Sequence, residues 1–178
     1  MTESWPAWAT EAIEVVEPDP SWPQRARELC LDLQQRLRPW LDGDVRDIGS
    51  TAIPGLAAKS IVDLAAPVVS LASAGAADAT LGEAGWRLIA PELDQRPWRR
   101  FYVLANDARR VAHLHLIERE HPRWEQILAF RDVLRARPDL AGAYAELKRR
   151  LADQQGDDRE AYSAAKADFI EAVLLEVD

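Results

Sequence analysis

One cysteine, Cys30, and one methionine occur in 178 residues. With a single thiol, no intramolecular disulfide, CxxC redox pair or thiolate zinc cage can form, which suits a reducing compartment. Long apolar runs are missing too: nothing approaches the ~20 residues that cross a bilayer. The opening Met1-Thr2-Glu3-Ser4 has neither the basic n-region nor the apolar h-region of a secretory signal, so the expectation is a cytoplasmic protein with no membrane partner. Positive charge is in the minority, 22 Lys and Arg against 30 Asp and Glu, for a net charge of −8. That sign argues against broad binding to nucleic acid, which needs a large positive field, but leaves room for a small basic pocket. Neither GxxxxGK[ST] nor GxGxxG occurs, and there is no internal repeat.

What remains has the make-up of a folded domain, with 48% apolar and 29% charged residues. A chain this long buries about 70% of the surface its unfolded form exposes, so it needs no metal or disulfide to fold. The expected organisation is one domain over 1–178, with 1–12 a loosely ordered lead-in. Seven scattered Trp residues read as packing.

Ile13 to Val16 reads as a short strand. Ser21-Trp22-Pro23-Gln24 reads as a helix start, with Ser21 as cap and Pro23 in the first turn. Apolar residues at helical spacing then run from Ala26 to Leu41, with Cys30 among them as a core residue. Val45 to Ile48 is a short strand and Gly49 to Gly55 a turn. Ile61 to Val69, broken only by Asp63, suits a strand covered on both faces. Residues 73–85 read as one helix. Arg100–Ala105 and Arg110–Ile117 read as strands flanking Asn106-Asp107. Helices are expected near 122–136, 140–152 (ending near Gly156) and 158–175. The fold class is therefore α+β, a mixed sheet from the first two thirds with a C-terminal helical cap.

Charge inside apolar patterns is the functional signal. Arg131 falls within the Trp124, Ile127, Leu128, Leu134 arc. Lys166 falls within the Tyr162, Ala165, Phe169, Ile170, Val173, Val177 arc. Lys148 sits at the edge of the Leu140, Tyr144, Leu147, Leu151 face. An unpartnered charge removed from water costs several kcal/mol, so these groups must snorkel, pair with carboxylates, or line a cavity for an anion. Asp63 shares a strand face with Ile61 and Ala65, where burial raises a carboxyl pKa unless something pairs with it. On His113-Leu114-His115-Leu116 both imidazoles share one face; they can share a metal ion or form a satisfied structural pair. His121, beside Pro122, reads as solvent-facing. Gly49-Ser50-Thr51 offers backbone N–H groups and two hydroxyls at a strand end, with Lys59 a few residues on. This is a seat for phosphate or simply a tight loop permitted by Gly49 and Gly55.

The run Ile48-Gly-Ser-Thr-Ala-Ile-Pro-Gly-Leu-Ala-Ala-Lys-Ser-Ile-Val-Asp63 resembles the signature IGSTAVPGLxAKPIID of the GrpB family. Glu17 to Trp22, Arg99-Arg100-Phe101-Tyr102, His113 to Leu116, Phe130 to Arg135, Tyr144 to Lys148 and Ala161 to Lys166 follow in order, so the likeness spans about 14–175. The resemblance implies a nucleotidyltransferase-like mixed β-sheet with flanking helices. It also implies a kinship with accessory domains fused to dephospho-CoA kinase, and hence a protein partner related to CoA biosynthesis. In that superfamily a Gly-Ser turn precedes an Asp-x-Asp pair that holds Mg²⁺ against nucleotide phosphates. Gly49 and Ser50 match the turn and Asp63 the first acid, but Ala65 stands at the second. Asp47, Ser60 and Ala112 are smaller departures, standing where the family has His, Pro and His.

Two readings follow. In the first, the protein binds a nucleotide or other phosphorylated small molecule and transfers a nucleotidyl group to a small acceptor. Gly49, Ser50, Thr51, Lys59, Arg131, Lys148 and Lys166 would then hold phosphate. Asp63 and His115 would be catalytic, and Asp63, His113 and His115 would hold Mg²⁺ or another divalent cation, with no organic cofactor. In the second, the chain is a non-catalytic accessory module. A zinc-like hydrolase built on Asp63, His113 and His115 ranks below both, because only three histidines exist.

Overall fold

The computed structural model describes Trp8 and residues 14–106, 109–155 and 159–175, with the side chains of 152–165 left out. Ile13, Asp107, Gly156, Val177 and all of the 1–12 lead-in except Trp8 therefore lie outside the described residues, as do the side chains of Tyr162 and Ala165.

The elements run α1 (Trp22–Arg36), β1 (Arg46–Ile48), a 3₁₀ turn (Ser50–Ala52), β2 (Val62–Val68), α2 (Leu71–Ala74), α3 (Asp78–Glu83), β3 (Trp86–Leu88), α4 (Pro91–Asp94), β4 (Arg99–Ala105), β5 (Arg110–Glu118), α5 (Pro122–Ala136), α6 (Pro138–Gln155) and α7 (Arg159–Leu175). The strands form one sheet in the order β1-β2-β5-β4-β3. Among the described strands only β2 and β5 pair in parallel; the other neighbours are antiparallel. This is the expected α+β mixed sheet with a helical cap. Among the described residues no helix is long and apolar enough to cross a membrane.

Strand alternation sorts the sheet into two unlike faces. One carries Val62, Leu64, Ala66, Val68, Leu114, Leu116 and Tyr102, and packs on Ala26, Leu33 and Leu37 of the α1 region and on Ala74, Ala77 and Leu81 around α2 and α3. The other is apolar at one end only, where Ile48, Ala65 and Ile117 meet Trp124, Ile127 and Leu128 of α5. The late helices form their own cluster, in which Leu134, Tyr144 and Ala145 pack on Ile53 of the Gly49–Gly55 turn and on Leu56 just after it. Tyr144 stacks on Phe169 with centroids 5.2 Å apart and meets Phe130 edge-on at 5.3 Å. That packing holds the turn beneath α6.

Several sequence expectations change in detail. Ser21 makes no side-chain cap; its own N–H donates to Asp19 instead, at 2.8 Å. The helix it opens ends at Arg36, and Leu41 contributes through an isolated bridge to Val68. The Val16 segment forms a single bridge with Ala58 rather than a strand. Residues 73–85 are not one helix. Ser70 caps α2 by accepting from Ser73 N–H at 3.1 Å, and Asp78, bound by the Tyr102 hydroxyl at 2.6 Å and by Arg100, begins α3. β3 and α4 had no sequence counterpart, being short and weakly patterned. His121 is not idle: its Nδ1 accepts from Arg123 N–H at 3.2 Å, capping α5, and its ring stacks near Trp98.

Candidate functional site

Asp63 lies on β2 between Ile48 of β1 and His113 of β5; His115 stands two residues further along β5, opposite Phe101 of β4. Period-two alternation brings these side chains to the less apolar face. Asp63 Oδ1 accepts from His113 Nδ1 at 2.8 Å. A carboxylate can only accept, so His113 carries its proton on Nδ1. Its Nε2 is buried with no hydrogen-bond partner among the described residues. His115 Nε2 lies 3.9 Å from the same oxygen, too far for a direct hydrogen bond. Phe101 packs between the two imidazoles, with centroids 5.1 Å and 5.0 Å away.

Gly49 is required where it stands. Its φ is +69°, and a Cβ there would lie 2.6 Å from Asp63 Oδ2. The turn's backbone is therefore pressed against the acid, and any side chain would displace one of them.

Two residues outside the sequence-based candidates complete the cluster. Arg99 NH1 lies 2.6 Å from His115 Nδ1, while its Nε donates to Asp94 at 2.8 Å and its NH2 donates to the other Asp94 oxygen. Asp94, on the short α4, is 8% exposed. Arg99 also lies over the Phe101 ring, 4.1 Å from its centroid. The available signal was the spacing Arg99-x-Phe101, which puts Arg99 on the histidine face of β4; nothing in the sequence signalled Asp94.

The ionisation states follow from these contacts. Burial alone would raise the Asp63 carboxyl, but the His113 hydrogen bond and the nearby His115 imidazole outweigh it and hold the carboxyl well below the usual range. Burial pushes His115 down to about 4, with Asp63 opposing and Arg99 adding to the effect. His115 is thus neutral at pH 7.

The late helices supply positive charge. Lys148 is 3% exposed; its Nζ donates to Ala57 O at 2.5 Å and lies 4.9 Å from the Tyr144 ring centroid. Burial, reinforced by Lys166, Arg149 and Lys59 and opposed by Asp63, pushes its amine down to about 7. Lys166 is lowered by burial and drawn back up by Asp63. Lys148 and Lys166 therefore both feel the charge of Asp63, and Lys148 also feels that of Lys59.

Other candidates are placed elsewhere. Arg131 NH1 donates to Asp47 O at 2.9 Å and its Nε to Asp132 at 2.7 Å, so this guanidinium ties α5 to β1. Thr51 is buried, with its hydroxyl 3.5 Å from Ile61 O. It lines a separate cavity of about 510 Å³, with Ala26, Cys30, Asp47, Pro54 and Arg135, that includes neither Asp63 nor the lysines. Ser50 opens the 3₁₀ turn next to Gly49 and is half-buried.

The donor set does not fit Mg²⁺. Asp63, His113 and His115 come together, but among the described residues no group of three or more His, Cys, Asp or Glu is arranged to hold a metal ion. Asp63 Oδ1 is engaged by His113, and His115 Nδ1 by Arg99. The second-acid position, Ala65, is fully buried against Ile48, Ile117 and Trp124. Nearby lysines further oppose a cation.

The family model described as "GrpB protein" matches residues 12–176. The chain belongs to the GrpB family. It is 36% identical over 165 residues to a UPF0157 protein of Streptomyces coelicolor, covering 92% of this chain and 84% of that one. The crystal structure of the conserved protein GrpB from Enterococcus faecalis superposes with a TM-score of 0.80 at 28% identity, covering 92% of this chain and 96% of that one. More distant structures share the nucleotidyltransferase-like fold alone. The GLD-2/RNP-8 complex has a TM-score of 0.56 at 14% identity, covering 84% of this chain and 58% of that one. Cid1 with its short product ApU has a TM-score of 0.50 at 14% identity, covering 75% and 40%. A dephospho-CoA kinase of Mycolicibacterium paratuberculosis is 28% identical over 185 residues, covering 89% of this chain and 44% of the kinase. This GrpB chain thus corresponds to less than half of that enzyme.

Proposed function

We propose that this GrpB-family protein binds a phosphorylated small molecule, nucleotides foremost, in the neighbourhood of Asp63. Lys59, Lys148 and Lys166 meet the phosphate charge, and Asp63 accepts a hydrogen bond from a hydroxyl or amine of the same ligand. What supports this reading is the burial of Lys148, whose amine bonds Ala57 O, together with the charge of Asp63 felt by both Lys148 and Lys166 and the charge of Lys59 felt by Lys148. Charge of one sign gathered in a partly dry site is worth more to an anion than the same charge in water. The ligand's phosphate is held directly by amines. Nucleotidyl transfer in the manner of the fold would need a second acid where Ala65 stands, so binding rather than metal-assisted turnover is the activity assigned. The protein is read as cytoplasmic.

Thermal unfolding tests this. Nucleoside triphosphates, pyrophosphate and dephospho-CoA are added in turn, with EDTA or with Mg²⁺. A ligand at 100 times its Kd adds about 2.7 kcal/mol, a Tm rise of roughly 5–10 °C in a domain of this size. At least one phosphorylated ligand is expected to produce it in EDTA. No rise with any of them at millimolar concentration, with or without Mg²⁺, overturns the reading.

The kinase relative favours a second reading, an accessory module that contacts a dephospho-CoA kinase. Co-elution of the chain with such a kinase, unchanged by Asp63→Asn and accompanied by no ligand effect on Tm, would favour it over the first.

A further inference from the structure

We propose that the Asp94–Arg99 pair is a positioning device that fixes His115 in the Nε2–H tautomer, so that both imidazoles turn N–H groups toward Asp63 and leave its Oδ2 to a ligand. Only the ligand consequence rests on the reading above; the tautomer stands on geometry. Arg99 can only donate, and its NH1 is 2.6 Å from His115 Nδ1. That nitrogen must accept, which puts the proton on Nε2, the atom facing Asp63. A guanidinium on a flexible stem would not hold an imidazole by itself. Here Asp94 grips it through two oxygens, from a buried position on another element, and the Phe101 face beneath it restricts it further. Hydrogen bonds run from Arg99 to Asp94 and to His115 and from His113 to Asp63, and His115 Nε2 faces Asp63 across a 3.9 Å gap between the two pairs. The planar fork matters: an ammonium is a point charge and cannot serve the Asp94 carboxylate and the imidazole in the same geometry.

The arrangement has a chemical consequence for the ligand. Asp63 Oδ1 accepts from His113 Nδ1, and His115 Nε2 stands 3.9 Å away as a favourable charge partner beyond hydrogen-bond reach; the carboxyl is held ionised, so it meets the ligand as an acceptor. The group that reaches it must therefore carry a hydrogen, a sugar hydroxyl or an amine, while phosphate oxygens are repelled toward the lysines. The site thus orients a ligand that has a phosphate at one end and a donor at the other.

The test reads the histidine directly. Ring ¹⁵N shifts of His115 are recorded at pH 7 on the intact protein without ligand. The expected result is a single neutral tautomer with the proton on Nε2. Arg99→Lys keeps a positive charge beside Asp94, and Asp94→Leu/Arg99→Met removes both charges, so that neither variant leaves a buried unpaired acid. Both are expected to show tautomer exchange at His115, with the His113 signals retained. A His115 proton on Nδ1 in the parent protein, or variants whose His115 spectrum is unchanged, overturns the proposal. Because no ligand is present, failure here is separate from failure of the binding assay. If a ligand is found there, Arg99→Lys is expected to weaken it by about tenfold through loss of one oriented hydrogen bond, and equal affinity would refute the ligand consequence alone.

Discussion

The two faces of one sheet follow opposite rules. Toward α1, α2 and α3, β2 and β5 present Val62, Leu64, Val68, Leu114 and Leu116, all fully buried. Toward the late helices, the same strands present Asp63, Ala65, His113 and His115. The first face gains stability in the ordinary way, about 1.5–3 kcal/mol for each large apolar side chain removed from water. The second contains a carboxylate, a neutral imidazole and a buried amine, each costly to desolvate and each satisfied only by a particular partner. A single strand can therefore carry a core and a site at once, because neighbouring residues point to opposite sides.

The largest effect is expected where the two rules meet. Ala65→Asp restores the missing acid of the nucleotidyltransferase pattern, but places a carboxylate among Ile48, Ile117 and Trp124. Its cost is several kcal/mol, read by denaturant unfolding, and should grow as pH rises and the new acid ionises. A variant as stable as the parent that also binds Mg²⁺ tightly would break the comparison, since Ala65 would then belong to the site and not to the core.

Next comes Leu114→Ala, on the apolar face between the two histidines. Truncation of a fully buried Leu costs about 2–5 kcal/mol, which is roughly 4–20 °C in Tm, with the ¹⁵N signature of His115 unchanged. Coupled loss of the histidine signature would show that the faces are not independent.

The smallest effect is a slope. Lys148 is held down to about 7, whereas an unfolded lysine keeps its proton to about 10. Between these values the folded state binds fewer protons, so this group makes stability rise with pH. Relative to Lys148→Met, the parent should gain up to about 1.4 kcal/mol per pH unit from pH 7 upward. A difference that is flat or falls with pH would return Lys148 to the solvent-facing class and dissolve the contrast between the faces.

Legibility followed periodicity. β4, β5 and α5 were readable to within a residue or two because each repeats a pattern over many residues, whereas β3 and α4 span three and four residues and carry almost no pattern. His113 and His115 were readable as one face of a strand, and Asp63 as sharing a face with Ala65, because alternation alone puts them there; that the two faces coincide came from the β2–β5 register. Their partners were not readable. Arg131 and Lys166 looked equivalent, each a base within an apolar arc, yet Arg131 reaches the main chain of Asp47 while Lys166 senses Asp63. A helical wheel specifies direction around one axis and says nothing of what lies across the gap. Thr51 misled for a similar reason: its hydroxyl turns inward to Ile61 and away from the acid.

By itself the sequence determined the faces: which residues alternate into the core, where charge interrupts them, and which Gly-Ser turn precedes the acid, all of which depend on local geometry repeated along the chain. Tertiary structure alone decided the partnerships. That Asp94 grips Arg99, that Arg99 turns His115, and that Lys148 is buried against Ala57 are contacts between segments from 5 to 91 residues apart in the chain. Such contacts exist only once the sheet order and the seating of the late helices are set, because hydrogen bonds and charge pairing depend on distances through space that no spacing along the chain encodes.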